Sequence, residues 1–307
     1  KITDLNTRGK IDAVPKVAKY LRNNKPRALL TAKDHGAKVG VLAKRLSGVK
    51  TPVYIKITNT LSQILQKRIK RKTAKCLYPL ADGLIAISQG VRQDMIERFG
   101  FPEHLLHVIY NPVLTTGMNQ RAEHDPEHPW LKNTKVPVFL GAGRLSSQKD
   151  FPNLIRAFAR VSEKRNCRLI ILGEGSERTN IEKLIHDLDL SNVVQLPGFV
   201  SDPLPWMARS SAFVLSSRYE GLGNVLIEAM AAGTTLVSTN CPSGPSEILE
   251  NGRLGHLVPV GDPEALAEAM LQALDNPVNP ASLKSAVTRF RSDEIAKQYL
   301  RLMGLQR

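Results

Sequence analysis

No apolar run in this 307-residue sequence approaches the roughly 20 residues that a membrane-spanning helix requires. The longest, at 168–172 and 212–215, are far shorter, so no helical bilayer span is expected. The opening stretch KITDLNTRGKIDAV mixes charge with isolated apolar positions and lacks the apolar core and small-residue cleavage site of a signal peptide, so no export is expected. Cysteine is scarce. Cys76, Cys167 and Cys241 lie far apart, lack CxxC spacing and are odd in number, which excludes a complete disulfide framework and fits a reducing cytoplasm. Aromatic residues make up only 5%, too few for an obvious base-stacking platform, and no nucleic-acid-binding motif, internal repeat or low-complexity tract accompanies them.

Acidic residues are short in one part of the chain only. Residues 1–112 hold 22 Lys+Arg against 7 Asp+Glu, whereas 113–307 hold 21 against 21, so the net charge of +15 comes wholly from the first part. Its densest block is KRIKRKTAK at 67–75. Such a block can be a solvated helix face; confined to one domain, it also points to an anionic partner, lipid headgroups or nucleic acid. Read as one helix, 62–75 sets Ile64, Leu65 and Ile69 among Lys67, Arg68, Lys70, Arg71, Lys72 and Lys75, a pattern able to lie on an anionic bilayer. The expectation is a cytoplasmic protein held peripherally at the inner face of the membrane, with no nucleic acid as partner.

With 42% hydrophobic residues the chain is long enough for two domains. From 27 to 109, the β-rich runs RALLTA, PVYIKI, GLIAIS and LLHVIY alternate with helical stretches near 37–46, 62–75 and 91–99. A second series, VPVFLGAG, CRLIILGEG, VVQLPGF, AFVLSS, TTLVST and HLVPV, repeats the rhythm. This is the pattern of parallel sheets covered by helices, an α/β chain. The domains are expected at 1–112 and 136–289, joined by a polar linker at 113–135, with a last helix near 282–302 whose end, 290–307, can pack back on the first domain. His124, Asp125, Glu127 and His128 in that linker read as a solvated loop, because a Pro-containing segment lacks the rigid scaffold of a metal site. The first series shows fewer strands than a complete mononucleotide-binding half, so the sequence reads as lacking its beginning.

In open parallel sheets ligands bind beyond the carboxyl ends of the strands, which makes the strand-to-helix turns the segments of interest. After VPVFL comes GAGRLSSQKD, where Gly141 and Gly143 permit close backbone approach and Arg144 and Lys149 flank the turn into the next helix. Arg supplies bidentate donors to phosphate and Lys a point charge, so the turn is a diphosphate clamp or a structural turn with two exposed cations. Ser146 stands where a dinucleotide fingerprint has its third glycine, which argues against hydride transfer. LILGEGSER adds Gly173 and Gly175, again allowing backbone close to a ligand. The most specific stretch is AFVLSSRYEGLGNVLIEAMAAGTTLVST: a strand, Glu220 at the mouth, Gly221, Leu222, Gly223, Asn224 and Val225 whose backbone N–H groups can meet sugar hydroxyls and phosphate, a helix carrying Glu228, and Gly233 as its stop. The two carboxylates can grip two ends of one elongated ligand; Glu228 can equally bond nearby backbone.

The E-x7-E pair Glu220 and Glu228, the G-R-x4-K pattern of Arg144 and Lys149, and GLGNVLIEAMAAG together resemble the retaining glycosyltransferases of family 4, and the likeness runs from about residue 27 to 273. The resemblance implies the GT-B fold, two Rossmann-like parallel-sheet domains facing across a cleft, here with the first incomplete at its N-terminus. It implies that Arg144 and Lys149 hold the donor diphosphate, that Glu220 and the backbone of 221–225 contact the transferred sugar, and that Glu228 bonds the ribose. Base contacts are implied for the turn at Phe199, Val200 and Ser201. Glu220, Arg144 and Lys149 form the implied catalytic set, with Gly143 and Gly173 lining the donor. The first domain departs from the family where relatives read E-H-N and this chain reads Ile57-Thr58-Asn59. Asp34, His35 and Asn59 are the acceptor-side candidates, and a His35 that only caps or packs is the other reading. CPSGPSEIL, with Gly244, Pro245 and Glu247, matches a family turn without an assigned role.

A hexosyltransferase is implied, moving a hexose or N-acetylhexosamine from a nucleotide sugar, UDP favoured over GDP, to a glycan or lipid-linked acceptor in cell-surface polysaccharide or lipopolysaccharide assembly. The nucleotide sugar is a substrate; no cofactor or metal is expected. Asp187-Leu188-Asp189 matches the D-x-D of metal-dependent transferases literally but ends an amphipathic run, where alternating acids are a solvated face. The alternatives are another GT-B enzyme, an epimerase or phosphorylase, and a non-catalytic nucleic-acid binder.

Overall fold

The computed structural model describes residues 5, 7, 9–132 and 135–306. Every β-rich run read in the sequence forms a strand: β1 (Leu29–Ala32), β2 (Val53–Ile57), β3 (Gly83–Ala86), β4 (Leu106–Val108), β5 (Val138–Ala142), β6 (Arg168–Leu172), β7 (Val194–Gly198), β8 (Ala212–Leu215), β9 (Thr235–Thr239) and β10 (His256–Val258). They make two wholly parallel sheets, ordered β1-β2-β3-β4 and β10-β9-β8-β5-β6-β7. Burial on both faces explains why the central strands are near-continuously apolar rather than alternating, as in FLGA of β5 and AFVL of β8.

The chain forms two compact units, one comprising the described residues to Tyr110 with Ile295 onward, the other Asn111–Glu294. In the first, Ile295 is buried with Tyr54, Ile85 and Ile109, and the Tyr54 hydroxyl donates to the Leu302 carbonyl at 3.0 Å. The second is built around Phe139, Phe158, Leu169, Ile171 and Val214, with helices Phe151–Lys164 and Pro263–Asp275 packed on its sheet.

Three segments differ from the sequence reading. Residues 113–135, expected as a polar linker, carry helices Met118–Glu123 and Pro129–Lys132 within the second unit; residues 133 and 134 lie outside the described residues. Met118 and Leu131 are buried there, Arg121 makes two bonds to Asp202, and the His128 ring lies 5.2 Å from that of Trp206 and bonds Gln195. The expected helix at 62–75 is broken into Leu61–Ile64 and Arg68–Leu77, because Leu65 turns into the core at 2% exposure and pulls 65–67 out of helical conformation. The last stretch is likewise divided, into Pro280–Ala286, a tight turn Val287–Phe290, and Ser292–Leu302. Among the described residues no helix is long and apolar enough to cross a membrane.

The order of the second sheet positions the site. From β5 the chain winds outward through β6 and β7, then returns to the other side of β5 and winds through β8, β9 and β10. The direction reverses between β5 and β8, which leaves a crevice beyond their carboxyl ends that no crossover helix fills.

Candidate active site

The two most informative turns follow β5 and β8, the strands that flank this reversal. They are stitched together. Arg218 N donates to the Gln148 carbonyl at 2.8 Å, Gln148 Nε2 to the Tyr219 carbonyl at 2.9 Å, and Ser216 Oγ to the Lys149 carbonyl at 2.8 Å. Asp150, 5% exposed and in the left-handed region at φ 47°, precedes helix Phe151–Lys164 and accepts from Arg218 Nε at 2.9 Å. Lys149 Nζ donates to Glu220 Oε1 at 2.6 Å, and Ser217 Oγ donates to the same oxygen at 2.7 Å. Glu220 is therefore buried and paired rather than open to solvent at the mouth, while Arg144 is exposed and, among the described residues, without an ion pair.

Behind Glu220, Ser243 Oγ donates to the Gly221 carbonyl at 2.8 Å, and a Cβ on Gly244 would meet the Leu222 carbonyl at 2.0 Å. CPSGPSEIL thus backs the 220–223 loop. Leu222 buries its side chain and offers only backbone. Gly223, at φ 93°, turns the chain into helix Asn224–Ala232, whose first two N–H groups, those of Asn224 and Val225, have no intrahelical partner, whereas Leu226 N donates to the Gly223 carbonyl at 2.9 Å. Asn224 Oδ1 accepts from Asn111 Nδ2 at 2.8 Å.

On that helix Glu228 has its carboxyl pushed above the ordinary range, first by burial and then by Asp202, against the opposing charges of Arg121 and Lys149. Asp202 is held low mainly by its bonds from Arg121. Arg121 and Asp202 were not singled out in the sequence; the only signal was a lone Arg within a His- and Pro-rich stretch. Beside them, Phe199 is 76% exposed in the loop after β7, with Val200 partly buried.

Gly173 must be glycine because of Gly143, and Gly143 because of Lys149. At Gly173, φ 134°, a Cβ would sit 1.9 Å from the Gly143 carbonyl oxygen, so the close approach expected toward a ligand is made to the neighbouring turn. Gly143, φ 154°, leaves room for the Lys149 methylenes, 2.9 Å from where a Cβ would be. Asp187 and Asp189 are apart from this constellation, at and beyond the end of helix Arg178–Asp187. Among the described residues no cluster of three His, Cys, Asp or Glu side chains could hold a metal ion.

In the first unit the acceptor-side candidates follow β1 and β2. Asp34 accepts from the buried Tyr78 hydroxyl at 3.0 Å and pairs with Lys38 at 2.8 Å, which occupies it structurally. His35 is exposed, and Asn59 Oδ1 accepts from Thr60 N at 2.9 Å in its own turn.

Fold and site together define a glycosyltransferase of the two-sheet GT-B type. The chain belongs to the glycosyl transferases group 1, whose family model matches residues 124–290, while that of Glycosyltransferase Family 4 matches 3–116. A Campylobacter jejuni N-acetylgalactosamine-N,N'-diacetylbacillosaminyl-diphospho-undecaprenol 4-alpha-N-acetylgalactosaminyltransferase is 30% identical over 262 residues, 83% of this chain and 70% of that one. The lipopolysaccharide core biosynthesis glycosyltransferase LpsE of Rhizobium meliloti is 37% identical over 174 residues, 55% of this chain and 50% of its own length. Anabaena HepE, solved in complex with UDP-glucose, superposes with a TM-score of 0.82 at 22% identity, covering 100% of this chain and 86% of that one, a likeness of fold.

Proposed function

We propose that the chain transfers a hexose or N-acetylhexosamine from a UDP-sugar to a lipid-linked or glycan acceptor, with retention at the anomeric carbon. The observation that carries this reading is the Lys149–Glu220 pair at the strand reversal, 2.6 Å long and beside the open N-terminus of helix Asn224–Ala232. Support for the donor comes from HepE, solved with UDP-glucose, and for the acceptor from the Campylobacter relative, whose name specifies a diphospho-undecaprenol glycan.

In this reading Lys149, Arg144 and the first-turn N–H groups of the helix take the diphosphate, the loop 220–224 takes the sugar, Glu228 takes the ribose, and the base lies by Phe199 and Val200. The diphosphate exchanges its oxygens for Glu220 at Lys149, which frees that carboxylate to accept from sugar hydroxyls. The anomeric C–O bond to the diphosphate breaks, and the acceptor hydroxyl oxygen forms its bond on the same face. The acceptor proton passes to a leaving phosphate oxygen, which gives the nucleoside diphosphate. Charge stabilisation of this kind contributes about 10²–10³ in rate per donor group. The reading calls on no metal and no cofactor, since the cations are side chains and a helix terminus.

The same reading places the first unit's cations on an anionic cytoplasmic membrane face. Its most basic helix, Arg68–Leu77, contains no carboxylate. Arg71 and Lys75 lie over the Phe99 ring, 5.3 and 5.9 Å from its centre, leaving Arg68, Lys70 and Lys72 as the outward charges, with Lys67 just ahead of them. Incubation with radiolabelled UDP- and GDP-sugars and a lipid extract tests the activity. Label entering the lipid phase from UDP-sugar supports it; label remaining wholly in the donor with every sugar overturns it.

A further inference from the structure

Helices Lys10–Asn24, Lys33–Ser47 and Arg68–Leu77 of the first unit leave a groove of about 510 Å³ lined by Val14, Val39, Leu42, Ile69 and Leu77, with Lys70 at its rim. That volume lies within the range of small-molecule pockets, roughly 300–1,000 Å³. Two of its apolar side chains are open to water: Ile69 is 71% exposed and Leu42 39%. An isolated exposed apolar residue needs no explanation, but a contiguous set lining a groove does. His35 and Lys38 complete the same wall. Lys38 is committed to Asp34 at 2.8 Å, whereas Lys70 has no carboxylate partner among the described residues.

We propose that this groove holds the hydrocarbon chain of an anionic lipid whose phosphate is met at the rim by Lys70. The inference rests on the lipid-linked acceptor reading above and adds the site at which such a lipid is held. Charge complementarity selects the occupant. A hydrocarbon without an anion leaves Lys70, the cation that helix 68–77 contributes to the groove, unused, and a small anion leaves Leu42, Ile69 and Leu77 in water. An amphiphile with its phosphate next to its chain uses both, the chain contributing through apolar burial and the phosphate through surface cations.

The test is photo-crosslinking of the full chain to a diazirine-tagged farnesyl monophosphate carried in phosphatidylcholine vesicles, with labelled residues mapped by mass spectrometry. Label is expected on segments 33–47 and 68–77. Ile69→Asp and Leu42→Asp, each at an exposed position, are expected to lower labelling about tenfold, comparable to losing the burial of about two methylene groups. Lys70→Glu is expected to lower it as well, and all three variants should keep the thermal midpoint and UDP binding of the parent. Unlabelled farnesyl monophosphate should compete; inorganic phosphate should not. Label spread over other surfaces, labelling unchanged in both Asp variants, or competition by inorganic phosphate or an acidic peptide would each overturn the groove assignment. Failure of the parent to bind UDP strikes the donor site instead and leaves the groove result standing.

Discussion

Lys149 and Glu220 come from turns 71 positions apart and meet at 2.6 Å, with the lysine side chain 17% and the glutamate 9% exposed. A buried pair of this kind is weak evidence of stability, because desolvation offsets much of its attraction, yet removing one partner strands the other. The pair occupies the reversal of strand order, where stability alone gives no reason to bury charge.

Replacing Lys149 by Ala is therefore expected to destabilise the second unit by about 3–5 kcal/mol, since it strands the buried Glu220 side chain with only Ser217 to meet it. Glu220→Gln should cost less, as the amide keeps a hydrogen bond to Ser217 and leaves no buried anion. Urea unfolding of both variants measures this. Equal, small losses in the two would contradict a desolvated pair.

Glu228 gives a pH prediction. Its folded carboxyl is raised above the unfolded value by burial, so the folded state binds the proton more tightly. The stability gained from that proton is present below the ordinary carboxylate range and is lost as pH rises through the folded value. Glu228→Gln should thus raise the thermal midpoint at neutral pH and flatten its dependence between the two values, while weakening UDP binding. A midpoint lowered at neutral pH would contradict the burial-driven shift.

Gly173→Ala should be far worse than an ordinary surface change. Its backbone conformation alone costs an L-residue about 1–3 kcal/mol, and the new methyl would lie 1.9 Å from the Gly143 carbonyl. The clamp turn should shift with it, so loss of UDP affinity beyond the loss of stability is expected. A variant that binds UDP like the parent would show that the two turns move independently.

Cys241 lies by the site with its thiol pushed up to about 12, by burial first and then by the Glu220 charge; burial raises Cys167 to about 11. Cys76 is exposed. Iodoacetamide at mildly alkaline pH should label Cys76 alone in the folded protein and all three cysteines in urea. Rapid labelling of Cys241 in the folded chain would contradict its burial.

The strands were legible because parallel strands buried on both faces are short apolar runs, and all ten runs formed strands. The helix at Lys10–Asn24 was not, since Pro15 lies inside it and Gly9 before it provides no side-chain cap. Leu65 broke the basic helix because the sequence shows an apolar residue at helical spacing but not that the core claims it. In the site, Arg144, Lys149, Glu220 and Glu228 were visible as motif residues. Their partners were not: Asp150 with Arg218 and Arg121 with Asp202 join turns distant in sequence that only the fold brings together, and Ser217, three residues before Glu220, carries no motif that marks its bond.

Calorimetric titration of UDP into the parent chain and into Arg144→Ala tests the donor site most directly. Arg144 is exposed and, among the described residues, has no ion pair to lose, so the variant should fold like the parent. Binding by the parent, weakened about tenfold or more in Arg144→Ala through the loss of charge-assisted hydrogen bonds to phosphate, is the expected result. Equal affinity in the two proteins, or no binding by a folded parent, contradicts the assignment of the β5 and β8 turns as the diphosphate site.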